Sequence, residues 1–202
     1  IVRRLGTAII TIFAISFLAF LFVALLPGNP AEILLGPWAT PEAVKTLTAK
    51  WGLDQPLLVR YGMWLHNFLR GDFGFSLTSR KPVTELVLTA LPVTAELCFL
   101  ACLVGCMVGI PAGILAAGVR SRVVSQLVIA VAVLAQSIPS FVSALGLILL
   151  FSFKLKVLPL SGYAPLSAGI RLNLQHMCLP SLSLGLVLGG FLARYVRGCL
   201  LE

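Results

Sequence analysis

Residues 97–119 read LCFLACLVGCMVGIPAGILAAGV, and no charged side chain falls between Leu97 and Val119. A helix crosses a bilayer core with ~20 apolar residues, so this stretch is long enough to span one. Ala101, Gly105, Gly109 and Gly113 recur four apart, which stacks them on one helix face. Small residues on one face let a second backbone come close, which is how membrane helices pack. Pro111 removes one helix hydrogen bond and crowds the preceding turn, so a bend is expected there. The stretch reads as a packed helix inside a bundle, not as a lone anchor in lipid.

The composition agrees. Hydrophobic residues make up 59% and charged residues 11% of the chain, whereas soluble domains carry ~25% charged residues. An all-α integral membrane protein follows. The net charge is +8, but the basic residues are scattered singly or in pairs. Nucleic-acid binding needs a clustered basic face, and none is present. Cys98, Cys102 and Cys106 fall four apart. Without CxxC spacing or converging ligands they read as small polarizable packing residues, not as a metal site. His66 and His176 stand alone in the sequence. No metal and no catalytic residue set is predicted.

Four spans emerge along the chain. The first runs from Leu5 to Leu26, behind Arg3 and Arg4, and stops at Pro27-Gly28-Asn29-Pro30. A polar region follows from Pro27 to Leu91. In it Thr40-Pro41-Glu42 opens one helix, and Gly52 suits its stop. Pro56 opens another, with Leu57, Tyr61, Trp64, Leu65 and Phe68 on one face and Arg60 and Asn67 away from it. That face suits either the membrane–water boundary or another protein segment. A short helix over 82–91 leads to the second span. The third span lies between Val123 and Phe153, and the fourth runs from Met177 to Ala193, where Arg194 and Arg197 can snorkel.

Arg3 and Arg4, and the tight Arg120-Ser121-Arg122 connection, favour a cytoplasmic position for both. With four spans both chain ends are then cytoplasmic, although Lys154 and Lys156 in the second external loop run against that tendency. Gly185 and Gly189 give the fourth span its own close-packing face. Gln136, Ser137, Ser140 and Ser143 interrupt the third span around Pro139, with Gln136 and Ser140 expected on a shared face. Such a stripe lines a solute path or joins helices to one another. Glu96, at the outer edge of the second span, is read as part of a path or as a structural hydrogen-bond partner.

These pieces, taken in order, resemble the inner-membrane permease subunits of bacterial ATP-binding-cassette importers for dipeptides, oligopeptides and nickel. The resemblance covers the whole chain. It rests on RRLG (3–6), LLPGNPAE (25–32), WGLDQPLLVRYGMWL (51–65), LRGDFGFSLTSRKPV (69–83) and LPVTAEL (91–97). GIPAGILAA (109–117), SIPSF (137–141), LPLSGY (158–163), LPSLSLG (179–185) and RYVRGCLLE (194–202) continue it.

The resemblance implies a type I ABC importer permease fold of about six helices, of which this chain carries about four. It implies residues 1–93 as an amino-terminal span with a long external region, and 94–202 as the first three spans of the translocating domain. It further implies a second homologous permease, two cytoplasmic ATPases that hold ATP and magnesium, and an extracytoplasmic solute-binding protein. The coupling segment and last two helices of such permeases would follow Glu202, so the chain is expected to represent the amino-terminal two-thirds. By itself it is not expected to couple ATP hydrolysis to transport.

Di- and oligopeptides are the expected cargo, with nickel, chelates, opines or glutathione as alternatives. The short loop after Phe153 leans toward the nickel type. An ion-coupled carrier or channel is the reading from another class, and it lacks the ionisable groups within spans that such proteins need.

Overall fold

The computed structural model describes residues 2–25 and 27–201. Leu26, the last residue of the expected first span, and Glu202 lie outside the described residues. The chain forms two compact units that meet between Thr89 and Ala90.

The first unit opens with α1, Val2–Ala24. Its side chains from Arg3 to Ile15 are exposed, and half-buried positions (Ser16, Phe17, Phe20, Leu21 and Ala24) begin only beyond them. Two short helices follow: α2, Pro30–Leu35, and α3, Pro41–Lys50. Both begin with a side-chain cap and a proline in the first turn. Asn29 accepts from the Ala31 N–H, and Thr40 accepts from the Ala43 N–H. Gly52, with φ of +62°, takes the left-handed position just past the end of α3.

Helix α4, Leu57–Leu69, lays its aromatic stripe on α1. The Tyr61 ring lies edge-on to Phe17 at 5.1 Å and to Phe20 at 5.6 Å, and its hydroxyl meets Ser16 Oγ at 2.7 Å. Trp64 sits 5.9 Å from Phe20. Protein packing therefore takes this stripe. Arg60 is not turned away as the spacing suggests: its guanidinium lies 6.0 Å over the Phe20 ring, within reach of a cation–π attraction. A two-stranded hairpin, β1 (Phe75–Ser76) and β2 (Lys81–Pro82), closes the turn-rich stretch and has no counterpart in the sequence reading.

Helix α5 runs unbroken from Val83 to Gly118. The short helix expected over 82–91 and the second span are thus one element. Pro92 and Pro111 both lie inside it. A proline costs one backbone bond, and membrane helices tolerate that where neighbours compensate. The third span is not one rod. Helix α6, Arg122–Ser137, and α7, Ser140–Leu147, meet at a 95° bend. A π-helical stretch, Ile148–Lys154, prolongs α7. Helix α8, Ile170–Leu201, starts earlier than the expected fourth span. A 3₁₀ turn, Leu166–Ala168, and Gly169 at φ +117° lead into it, and the Asn173 N–H bonds back to the Gly169 carbonyl. Among the described residues three helices are long and apolar enough to cross a membrane. The bent pair makes a fourth span if it crosses as one unit rather than turning back as a re-entrant loop.

Candidate functional site

The second unit is built on a seam between α5 and α8. Ala101, Gly105, Gly109, Gly113 and Ala116 are the buried residues of α5. A methyl group on Gly109 would lie 2.5 Å from the Gly189 carbonyl oxygen and 2.8 Å from Leu192 Cβ. On Gly113 it would lie 2.7 Å from the Ala193 carbonyl oxygen, and on Gly105 2.9 Å from Leu188 Cδ2. Across the seam, a methyl on Gly185 would lie 2.6 Å from Val104 Cβ, and one on Gly189 would lie 3.3 Å from the Gly105 carbonyl oxygen. At Gly109 and Gly113 the opposing backbone approaches so closely that a methyl would force the helices apart.

Gly190 does the same on the other flank of α8. A methyl there would meet the Ala132 carbonyl oxygen at 2.5 Å and Gln136 Nε2 at 2.8 Å. Helix α8 is therefore wedged between α5 and α6. Two polar ties reinforce the wedge. Arg194 Nη2 donates to Gln136 Oε1. Arg197 Nε donates to Ser125 Oγ at 3.3 Å, and that buried hydroxyl donates to the Ala116 carbonyl at 2.6 Å. Both arginines, placed by the sequence where they can snorkel, thus turn at least partly toward protein because α6 offers them oxygen acceptors.

The break between α6 and α7 separates the polar residues predicted around Pro139. Ile138 takes an extended conformation, as the residue before proline prefers, and its N–H still reaches the Leu134 carbonyl. Pro139 has no N–H to continue the ladder, and α7 starts afresh at Ser140. Gln136 and Ser140 consequently do not share one helix face. Gln136 faces Arg194 and Gly190. Ser137 Oγ donates to the Val133 carbonyl at 2.9 Å, and Ser143 Oγ to the Ser140 carbonyl at 2.9 Å. Those two hydroxyls feed their own helices.

At the opposite end of α8 a loop is strapped down at three points. Ser152 Oγ donates to the Pro159 carbonyl at 2.9 Å. Asn173, with 0% of its surface exposed, donates from Nδ2 to the Ala164 carbonyl at 2.9 Å. The Tyr163 hydroxyl donates to Glu96 Oε2 at 2.8 Å. The hydrogen bond to Glu96 raises the Tyr163 pKa above its usual 10.0, with desolvation and the carboxylate charge adding to the rise. Glu96 is thus engaged in a structural bond between α5 and the loop. Asn173, Ser152 and Ser125 were not singled out from the sequence. Each donates to a backbone carbonyl, which leaves no trace in the side-chain pattern.

Two family models match the chain. One, the amino-terminal part of the binding-protein-dependent transport system membrane component, matches residues 1–98. The other, the binding-protein-dependent transport system inner membrane component, matches residues 109–201. A candidate peptide transport system permease protein of Brucella suis biovar 1 (strain 1330) is 37% identical over all 202 residues. The glutathione transport system permease protein GsiC of Escherichia coli (strain K12) is 35% identical over the same length. The chain spans 64% of the length of the first relative and 63% of the second. With both models matched in order along this bundle of apolar helices, the chain belongs to the binding-protein-dependent transport system inner membrane components and is a multi-pass protein of the inner membrane.

Proposed function

We propose that the chain serves as the permease part of an ATP-driven importer. Together with a second homologous permease it forms a path for di- and oligopeptides, opened alternately to each side. The observation that carries this reading is the 95° break between α6 and α7 beside the tightly wedged α5–α8 pair. A helix broken within a membrane is tolerated where its freed backbone groups face protein or water, and a solute path supplies such surroundings. Gln136, Ser137, Ser140 and Ser143 flank the break and are the residues we assign to the path, with Ser140 the strongest because no side-chain hydrogen bond occupies its hydroxyl among the described residues. Glu96 is assigned to the outer mouth.

ATP and magnesium belong to two separate cytoplasmic ATPase subunits in this reading, and an extracytoplasmic solute-binding protein delivers the cargo. Residues 1–93 supply the amino-terminal span and external region, and 94–202 supply the translocating helices. The two compact units and the extents of the two family models support a division of this kind. Arg3, Arg4, Arg120 and Arg122 favour cytoplasmic chain ends.

Glutathione is the second cargo reading, favoured by the relatives named as glutathione permeases. It is itself a tripeptide, so one path chemistry serves both. The test is uptake of a labelled tripeptide by cells whose only peptide importer is the full-length protein with its partner subunits. Uptake lost on ATP depletion but retained with a protonophore supports the proposal, and competition by unlabelled glutathione sorts the cargo. Uptake lost with the protonophore while ATP is intact points to an ion-coupled carrier and overturns it.

A further inference from the structure

We propose that α4 is embedded in the membrane leaflet beside the end of α1 remote from Arg3 and Arg4, with Leu58, Val59 and Leu69 against lipid. The inference rests on reading α1 as a span, and on the register at which α4 meets it. Tyr61 touches Ser16, Phe17 and Phe20, and Trp64 touches Phe20. Counting 1.5 Å per residue from Leu5, Ser16 and Phe20 lie about 17 and 22 Å along a hydrocarbon core about 30 Å thick. Tilting α1 brings these contacts deeper still. Sliding α1 outward would draw Arg3 and Arg4 into hydrocarbon, which charged side chains resist.

The surface of α4 fits that depth. Its stripe is used against α1, yet the rest of its surface is also largely apolar: Leu58 is 71% and Leu69 75% exposed on one flank, and Val59 and Met63 are exposed on the far face. In water such a helix would show a polar outer face. Its one strong cation, Arg60, is folded over Phe20, leaving His66 and Asn67 as the polar groups of the outer arc. The helix is 13 residues long, about 20 Å, which is too short to cross. Asp54 precedes it, and Arg70 and Asp72 follow it, all exposed. Both ends thus return to water, and the helix lies along the leaflet.

The experiment uses the full-length protein, freed of native cysteines, in liposomes of phosphatidylethanolamine and phosphatidylglycerol. Leu58→Cys and Leu69→Cys each carry a nitroxide, with Val59→Cys as the alternative site if either expresses poorly. Collision with oxygen, which concentrates in lipid, is compared with collision with a water-soluble nickel chelate. Phe13→Cys on α1 and Lys45→Cys on α3 set the lipid and water limits. The oxygen-to-chelate ratio at 58 and 69 is expected to be several-fold above that at 45 and close to that at 13. A ratio matching position 45 means α4 stands in water. Low collision with both reagents means a protein partner covers it. Either result overturns the proposal. A watery signal at position 13 itself would show instead that α1 does not span.

Discussion

Replacing Gly109 by alanine tests the α5–α8 seam with one methyl group. In an open helix interior the change is favourable by roughly 0.5–1 kcal/mol, because alanine loses less conformational freedom. At position 109 the methyl would lie 2.5 Å from the Gly189 carbonyl oxygen, 2.8 Å from Leu192 Cβ and 2.9 Å from Gly189 Cα. Ordinary carbon contacts need about 3.5–4.0 Å, so the helices must part by roughly 1 Å. Two of the three opposing atoms are backbone and cannot swing aside. Overpacking of this kind costs about 1–3 kcal/mol, which exceeds the propensity gain. Parting the helices at Gly109 also strips contact from Gly105 and Gly113 on the same seam.

The comparison is Gly146→Ala in α7, where a methyl meets nothing within 4 Å. Thermal unfolding of the full-length protein in detergent, read as loss of the monodisperse peak, should fall by several degrees for Gly109→Ala. It should stay level or rise for Gly146→Ala. Equal behaviour of the two variants, or a Gly109→Ala protein more stable than its parent, refutes the close-approach reasoning.

Asn173→Leu removes the donor to the Ala164 carbonyl in a buried site; leaving that acceptor unpaired costs about 1–3 kcal/mol, and faster protease cleavage within residues 158–168 should report it. The Tyr163–Glu96 bond favours the protonated phenol, so its contribution is complete below pH 10.0 and disappears as pH rises through the raised folded value. The difference between the tyrosinate absorbance titrations of the parent and Tyr163→Phe should therefore place Tyr163 above its usual 10.0, and Glu96→Gln should shift that difference to lower pH. Pro139→Ala restores the missing N–H and lets α6 and α7 approach one continuous helix. Helix content by circular dichroism should hold or rise while peptide uptake falls several-fold, and undiminished uptake would separate the break from transport.

The parts legible in the sequence are those governed by local rules. Charge-free runs long enough to cross a bilayer, the Thr40 cap, and the fourfold spacing of Gly105, Gly109 and Gly113 all depend on residues within a turn or two of one another. The misplaced features depend on distant partners. Arg194 and Arg197 look like interfacial cations until α6 supplies Gln136 and Ser125. Arg60 looks solvated until α1 brings Phe20 beneath it. Pro139 announces an interruption, but a proline in an apolar run reads alike whether the helix bends slightly or turns by 95°. Pro92, Pro111 and Pro180 sit in comparable runs, and their helices continue.

What separates Pro139 from Pro111 and Pro180 is the neighbourhood. Pro111 lies on the seam helix between Gly109 and Gly113, where α8 packs directly against the backbone and restrains any large bend. Pro180 lies in α8 between Leu179 and Ser181, both buried. Around Pro139 the flanking Ser137 and Ile138 are exposed, and the next firm anchor is Gln136 against Gly190, before the break. Beyond the break α7 packs on α8 instead of continuing in line with α6. The last anchor of α6 on α8, Gln136 against Gly190, thus stands just before the turn. Filling Gly190 with a methyl should disturb the Gln136 anchor and Pro139 geometry together, whereas filling Gly113 should loosen the seam and leave the break in place.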